Sequence, residues 1–219
     1  MMMKPFFLIL VGTIAVSGCD AVQSSNADGL PLHEIKLDGR TPIAQTAPAE
    51  ARFNVRTVEI LMPSTLRVSE ANLFYPDADV VWRGEPIGDR LAQVRSILDE
   101  SLAAGVANLK SGPNAKLTIT LERFHALTEK ARFSVGGVHD VVFLLTVSDA
   151  RTGVVLEGPR RIEIAIRASG NDAAIAEDAA GRTQRVVIVE GIAEAIRREL
   201  SGPLDASTAR KPGLFGVFR

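Results

Sequence analysis

The most restrictive feature of the sequence is a run of three strand-like segments between residues 115 and 168. In "AKLTITLERF", apolar Leu117, Ile119 and Leu121 alternate with polar residues, as in a strand with one solvent-facing side. "DVVFLLTVSD" has apolar residues on both faces, which predicts a central strand, and "RIEIAIRA" alternates again with three isoleucines facing inward. This period of two excludes a helix, so the chain must fold around a sheet.

The segments between these strands contain turn signals. Gly136-Gly137 precedes the central strand, and "DARTG" at 149–153 supplies a hairpin turn after it. We interpret 132–135 as continuing or restarting the first of the three strands. The pattern therefore predicts a meander of antiparallel strands.

Two helices flank this meander. Pro86 suits a first helical turn, and we expect a helix over 86–110 whose charged face (Asp89, Arg90, Arg95 and Asp99) is solvated. We expect its apolar stripe to be Ile87, Leu91, Val94, Leu98, Leu102 and Leu109. A last helix runs from 172 to about 200, with Asn171 or Asp172 as N-cap, Gly202-Pro203 as its stop, and the buried stripe Val189, Ile192, Ile196 and Leu200.

The segment "FNVRTVEIL", beginning at Phe53, adds a strand before the first helix, and "ADVVW" adds a short extended piece. The order β-α-β-β-β-α predicts an α+β fold over 53–202. We expect a two-layer sandwich of a four-stranded, mostly antiparallel sheet with both helices on one face. The chain has one cysteine, so no disulfide within it can assist the core.

The N-terminus has the features of a signal peptide over 1–18. Lys4 is followed by an apolar run at 6–16 and by the small residues Ser17 and Gly18. A bilayer-spanning helix needs about 20 apolar residues, and this run is roughly half as long.

The stretch Val16-Ser17-Gly18-Cys19 resembles the lipobox of bacterial lipoproteins, although that family usually has leucine at the position of Val16. The resemblance implies that Cys19 receives a diacylglycerol, with acyl chains such as palmitate, and becomes the mature N-terminus. Asp20 resembles the signal that keeps such proteins on the inner membrane, which favours that membrane over the outer one. The alternatives are an ordinary cleaved signal with a stray thiol at Cys19, and an Asp20 that is merely the first polar residue of a tether.

Residues 19–52 are rich in Pro, Ala, Ser and Gly without sustained periodicity, so we interpret them as a lipidated N-terminus followed by a flexible tether. The C-terminal tail, 203–219, contains Phe215 and Phe218 after a Pro/Gly break; it either folds back on the domain or is exposed for a partner. Trp82, the only tryptophan, either packs over a helix end or contacts a partner.

The sequence contains no recognisable catalytic, metal-binding or cofactor-binding motif. His33, His125 and His139 have no second ligand at metal-binding spacing, and no GxSxG, P-loop or dinucleotide glycine pattern is present. We therefore predict no metal, no cofactor and no catalytic residue. The 25 basic and 26 acidic side chains also argue against a nucleic-acid partner.

With the lipobox and the "DARTG" hairpin, the order of elements resembles the small periplasmic lipoproteins that serve envelope transport machines. These include the lipopolysaccharide-assembly lipoprotein and the auxiliary lipoproteins of ABC-type lipid transporters; uncharacterised proteobacterial lipoproteins fit equally well. The resemblance implies a lipid-anchored binding or scaffolding subunit of an envelope complex, with a protein partner or a lipid ligand and no reaction. The alternative is an envelope hydrolase, which needs converging acidic, His or Ser side chains in a concave site, whereas a binding protein needs an exposed apolar patch.

Overall fold

A computed structural model describes residues 50–202. The elements, in chain order, are the strands and helices β1 (Asn54–Leu61), β2 (Val80–Val81), α1 (Arg90–Val106), β3 (Asn114–His125), α2 (Glu129–Arg132), β4 (Gly137–Asp149), β5 (Val155–Ala168), α3 (Asn171–Ala179) and α4 (Gln184–Glu199). The sheet order is β1-β3-β4-β5, with the short β2 also paired to β3. The predicted α+β fold is confirmed, and the strand with apolar residues on both faces, β4, is central.

The sheet is antiparallel across β3, β4 and β5 and parallel between β1 and β3. The parallel pair arises because α1 lies between β1 and β3 in the sequence and returns the chain in the same direction. In the antiparallel part, Leu117 pairs with Val147 and Ile119 with Leu145, so that their side chains share one face. This face of the sheet forms one side of the hydrophobic core.

Helices α1 and α4 lie side by side over that face. A Cβ atom on Gly105 of α1 would come within 3.0 Å of the Ala193 carbonyl oxygen in α4, so glycine permits the close approach of the two helices. In α4, Gly191 approaches the side chain of Ile166 on β5. Between the layers lie fully buried side chains, among them Val94, Ile97, Leu98, Leu102, Ile188, Ile192 and Ile196. The outer face of the sheet carries the apolar Val142 and Leu144 of β4 together with the ion pairs Arg161–Glu122 and Lys116–Glu59.

The first helix is shorter than we predicted. It begins at Arg90, because the side chain of Asp89 accepts a hydrogen bond from the Ala92 N–H and caps the helix. Ile87 therefore precedes the helix and is exposed. The expectation that Arg90 is solvated is also wrong, since this side chain is buried against Glu70.

The last helix is two helices, α3 and α4. Gly181, with φ 80°, interrupts the helical conformation between them. Thr183 caps α4 by accepting a hydrogen bond from the Val186 N–H. The predicted N-cap is wrong as well: Gly170 occupies that position, and Asn171, at φ 51°, is the first residue of α3. The interpretation of 132–135 as strand is wrong, because Thr128 accepts from the Ala131 N–H and starts the short helix α2.

The described chain enters and leaves the domain at one end. The Arg52 N–H donates to the Leu200 oxygen (3.0 Å), and the Gly202 N–H donates to the Glu50 oxygen (2.9 Å). The part of the expected tether at 50–52 therefore lies against the domain. We call this end the basal pole. Strands β1, β3 and β5 run away from it toward an apical pole, which the 12 residues of β3 place about 35–40 Å away.

Candidate functional site

Four of the residues that the sequence singles out, Cys19, Asp20, Phe215 and Phe218, lie outside the described residues. Trp82 is fully buried and meets Phe124 edge to face, with ring centroids 6.2 Å apart. The ring also lies against Gly84, where a Cβ atom would come within 2.3 Å of it. Trp82 thus belongs to the core and is not available for the partner contact that was the alternative interpretation.

A cleft of about 330 Å³ opens at the apical pole. Its walls are a loop before β2, the helix α2 with its flanking residues, and the adjoining ends of β4 and β5. Most of the lining is apolar, including Phe74, Tyr75, Leu127, Val135 and Val138, and Arg167 is its charged member. We call this site the α2 cleft.

The α2 cleft exposes an unusual amount of apolar surface. Tyr75 is 94% exposed, Val135 73% and Val138 51%. Leu73 and Phe133 next to them are also exposed. Single exposed apolar residues are normal, but a cluster at one concave site is typical of a binding surface.

The loop wall of the cleft is fastened to α2. The Thr128 hydroxyl donates to the Leu73 oxygen (2.8 Å), and the Lys130 N–H donates to the Asn72 side chain (2.8 Å). In addition, the Lys130 ammonium lies 4.9 Å from the centre of the Phe74 ring, a cation–π distance. Residues 72–74 of this wall are thus held in place by Thr128 and Lys130.

The floor of the cleft depends on two glycines. A Cβ atom on Gly170 would lie 2.3 Å from the Gly136 nitrogen, and one on Gly136 would lie 2.8 Å from the Gly170 nitrogen. Gly136 also has φ 70°, a conformation that favours glycine. Only glycine at both positions lets the start of β4 and the end of β5 approach this closely.

Ion pairs from Arg83 and Arg90 hold α2 and the connection between β1 and α1. Arg83 Nε donates to Glu129 (2.5 Å), and Arg90 makes two hydrogen bonds to Glu70, one of them from Nε to Oε1 at 2.6 Å. The hydrogen bonds from Arg90 hold the pKa of Glu70 below its usual range. Burial raises the pKa of Glu129, but the hydrogen bond from Arg83, a backbone hydrogen bond and the charges of Arg83 and Arg90 together outweigh burial and lower the pKa.

The other end of α2 is tied to the last two helices. Arg132 Nη2 donates to Asp178 of α3 (2.8 Å), and the Gln184 amide donates to the Leu127 oxygen (2.8 Å). These contacts give α2 polar partners at both ends, and Ala131 is its only residue in the cleft lining.

Each of the two histidines in the described range contacts a backbone group. His125 Nε2 lies 2.6 Å from the Ala78 oxygen, and His139 Nδ1 accepts from the Leu127 N–H at 3.2 Å. Burial, and secondarily the charge of Arg132, lowers the pKa of His139 from 6.5 to about 4. Among residues 50–202 no group of three His, Cys, Asp or Glu is placed to hold a metal ion.

Sequence reasoning missed the α2 cleft. The available signal was "NLFYP", three large apolar residues in succession without helix or strand periodicity. Arg167 and Val138 face each other across the β4–β5 pair, but this register depends on bulges that the sequence does not reveal.

No helix within the described part of the chain has both the length and the apolar character needed to cross a bilayer.

Residues 53–214 match the model of a family described as a family of unknown function, DUF6778. Among solved structures the chain is similar to protein XCC0632 from Xanthomonas campestris, of the family DUF330, with 13% identity, a TM-score of 0.40, and coverage of 70% of this chain and 86% of that one. It is also similar to a protein from Caulobacter crescentus CB15 described as a candidate lipoprotein, with 21% identity, a TM-score of 0.30, and coverage of 48% and 76%. No curated protein matches the chain.

Proposed function

Because the chain belongs to the DUF6778 family, whose function is unknown, we propose a function from its own residues. We propose that it is a lipid-anchored protein on the periplasmic side of the cell envelope, that it binds through the α2 cleft, and that it carries out no reaction. In this role it is an accessory subunit of an envelope complex for lipids or transport.

The anchor rests on the N-terminal sequence. An apolar run of suitable length leads to Ser17, Gly18 and the only cysteine, Cys19. Two or three acyl chains hold a protein on a bilayer where one would not. With Asp20 next to that cysteine, the inner membrane is the favoured location. The 30 residues at 20–49, if extended, would reach about 100 Å, which is enough to let the domain find a partner away from the lipid surface.

The binding role rests on one observation, the concentration of exposed apolar side chains at the α2 cleft. Burying exposed apolar surface contributes about 25 cal/mol per Å². The aromatic residues Phe74 and Tyr75 are of the type enriched at binding hot spots. The ion pairs and glycine contacts around the cleft fix its walls before any ligand arrives, which reduces the entropy cost of binding.

The alternative of an envelope hydrolase has less support in the described residues. Glu129 and Asp178 line a neighbouring cleft of about 210 Å³, but each carboxylate is paired with an arginine. His125 and His139 both have a ring nitrogen at hydrogen-bond distance from a backbone group, and neither is hydrogen-bonded to a side chain of 50–202. The α2 cleft is lined by neither a carboxylate nor a histidine. A general base must lie within hydrogen-bond reach of its substrate, which requires such groups in the cleft.

Site-specific crosslinking tests this proposal. A photoreactive amino acid at position 75 should form adducts in intact cells, whereas the same group at Val154, an exposed apolar residue at the basal pole, should not. Val138→Asp should abolish the adducts because it places a carboxylate in the apolar wall, and Val154→Asp serves as its matched control. Equal adducts from both positions, or none from position 75, would refute a binding role for the cleft.

A further inference from the structure

The walls of the α2 cleft also indicate the chemistry of its ligand. Only one charged side chain, Arg167, is part of the lining. It lies at the end of β5, opposite Val138 of β4, and is exposed. A ligand that fills the cleft therefore meets apolar groups along most of its length and a guanidinium at one side.

Arg167 differs from the other arginines of the apical pole. Arg83, Arg90 and Arg132 are each paired with a carboxylate, Glu129, Glu70 and Asp178 respectively. No carboxylate within residues 50–202 is in ion-pair distance of Arg167. Its five N–H donors are thus free for an external acceptor, and a guanidinium is the donor that best fits a carboxylate or phosphate group.

A second cation, Lys130, contacts a residue of the lining without lining the cleft itself. The Lys130 ammonium lies over the Phe74 ring and, within 50–202, makes no ion pair. The apolar stem of Arg167 extends the apolar surface of the cleft while its charge stays in water. The cleft therefore combines an apolar lining with one positive charge.

An acyl chain fits these walls better than a peptide does. A bound peptide needs partners for its own N–H and C=O groups, usually a free strand edge or a set of side-chain amides. Among the side chains that line the cleft, only the Tyr75 hydroxyl and Arg167 could supply them, and Arg167 is the only residue of the edge strand β5 in the lining. An acyl chain needs none, and a volume of about 330 Å³ is at the lower end of the range for small-molecule sites.

We infer that the α2 cleft binds a single anionic amphiphile, such as a fatty acid or a lysophospholipid, with its acyl chain between Phe74, Leu127 and Val138 and its acidic headgroup on Arg167. This inference names the ligand class for the binding role proposed above and depends on that role.

The test uses the full mature chain with Cys19→Ser, so that its own acyl chains do not compete. Calorimetric titration below the critical micelle concentration compares four ligands with the same myristoyl chain. Myristate and myristoyl lysophosphatidylglycerol are anionic, whereas myristoyl lysophosphatidylcholine and monomyristoylglycerol carry no net charge. We expect the anionic ligands to bind about tenfold more tightly, the usual effect of one charge-assisted hydrogen bond at a partly solvated site.

Three variants test whether that preference arises in the cleft. Arg167→Gln should remove the tenfold preference and leave binding of the uncharged ligands unchanged. Arg56→Gln, which changes an exposed arginine on the other edge strand, should leave all four affinities as they are. Val138→Asp should weaken the binding of all four ligands.

Three results would overturn the inference. They are no binding of any monomeric ligand, equal binding of anionic and uncharged ligands, and binding only to phosphatidylglycerol vesicles, which would indicate adsorption to a bilayer surface. If position 75 crosslinks in cells to a protein while the monomers do not bind, the ligand class is wrong and the binding role stands. If position 75 gives no adducts at all, the binding role itself fails.

Discussion

Arg90 and Glu70 form a two-point ion pair, with Arg90 Nε donating to Oε1 at 2.6 Å and Nη2 to Oε2 at 3.0 Å. Arg90 is only 4% exposed, and Glu70 is reached from a loop 20 residues earlier in the chain. The guanidinium also donates to the carbonyl oxygens of Glu85 and Pro86 and to the Gln93 side chain. The buried guanidinium of Arg90 thus holds the long connection between β1 and α1 against the first turn of α1.

Glu70→Gln should lower the free energy of unfolding by about 2 kcal/mol. It leaves a buried guanidinium with weakened hydrogen bonds, and losing a partner of a buried polar group costs about 1–3 kcal/mol. Asp99→Asn, which removes an exposed pair with Arg95 on the same helix, should cost less than about 0.5 kcal/mol. Urea unfolding of both variants provides the comparison, and equal losses would show that Arg90 does not depend on Glu70.

Stability should fall as the pH is lowered from 7 to 5 because of His139. Its pKa is about 4 in the folded protein and 6.5 in the reference state, so the unfolded chain binds more protons over this window. The free energy of unfolding should therefore fall by about 2 kcal/mol between pH 7 and pH 5.

His139→Asn should flatten this dependence, since the amide oxygen can still accept from the Leu127 N–H but does not titrate. The measurement is the unfolding midpoint in urea at four pH values. A wild-type curve that is flat from pH 7 to pH 5 would contradict the burial of a neutral imidazole.

Gly170→Ala should be much more destabilising than Gly181→Ala. At position 170 the new methyl group would overlap the Gly136 backbone, although φ is an ordinary −124°. At position 181 nothing lies within 4 Å, and the cost is only that of φ 80°, about 1–2 kcal/mol. Thermal unfolding should rank them in this order, and Gly170→Ala should also weaken ligand binding because it separates β4 from β5 at the cleft floor.

Cys19→Ser should abolish labelling of the protein by an alkyne analogue of palmitate and leave a soluble or unprocessed form. The serine hydroxyl does not substitute for the thiol in thioether formation, so no acyl chain can be attached. Persistent labelling of this variant in cells would end the lipoprotein interpretation.

Asp20→Ser should move the protein from the inner to the outer membrane if the carboxylate next to the anchor acts as the retention signal. Fractionation of the two membranes measures this directly. Identical outer-membrane distributions of the wild type and the variant would refute retention by Asp20.

The sheet and its core could be predicted because their signals are local. Alternation in β3 and β5 and the stripe of Ile192, Ile196 and Leu200 in α4 are periodic patterns that burial enforces. The break between α3 and α4 was missed because α3 continues a sequence compatible with helix, and the stop depends on one glycine in a left-handed conformation.

The candidate site could not be predicted in the same way. Arg90 is buried because Glu70 neutralises it, and Arg167 has no carboxylate partner within 50–202. Both facts depend on residues far apart in the chain. The cleft itself requires Gly136 and Gly170 to meet, a contact across 34 positions. Such long-range pairings have no periodic signature.

The hydrogen bond between Gly202 N–H and the Glu50 oxygen has a mechanical consequence. A pulling force applied between the two chain ends would enter and leave the domain at neighbouring peptide groups. The force would act across the Gly202–Glu50 hydrogen bond and the bridge between Ala51 and Ser201. It would not act along the strands. Tension would therefore peel apart the basal pole first, while the walls around Tyr75, some 35–40 Å away, carry no load and keep their shape.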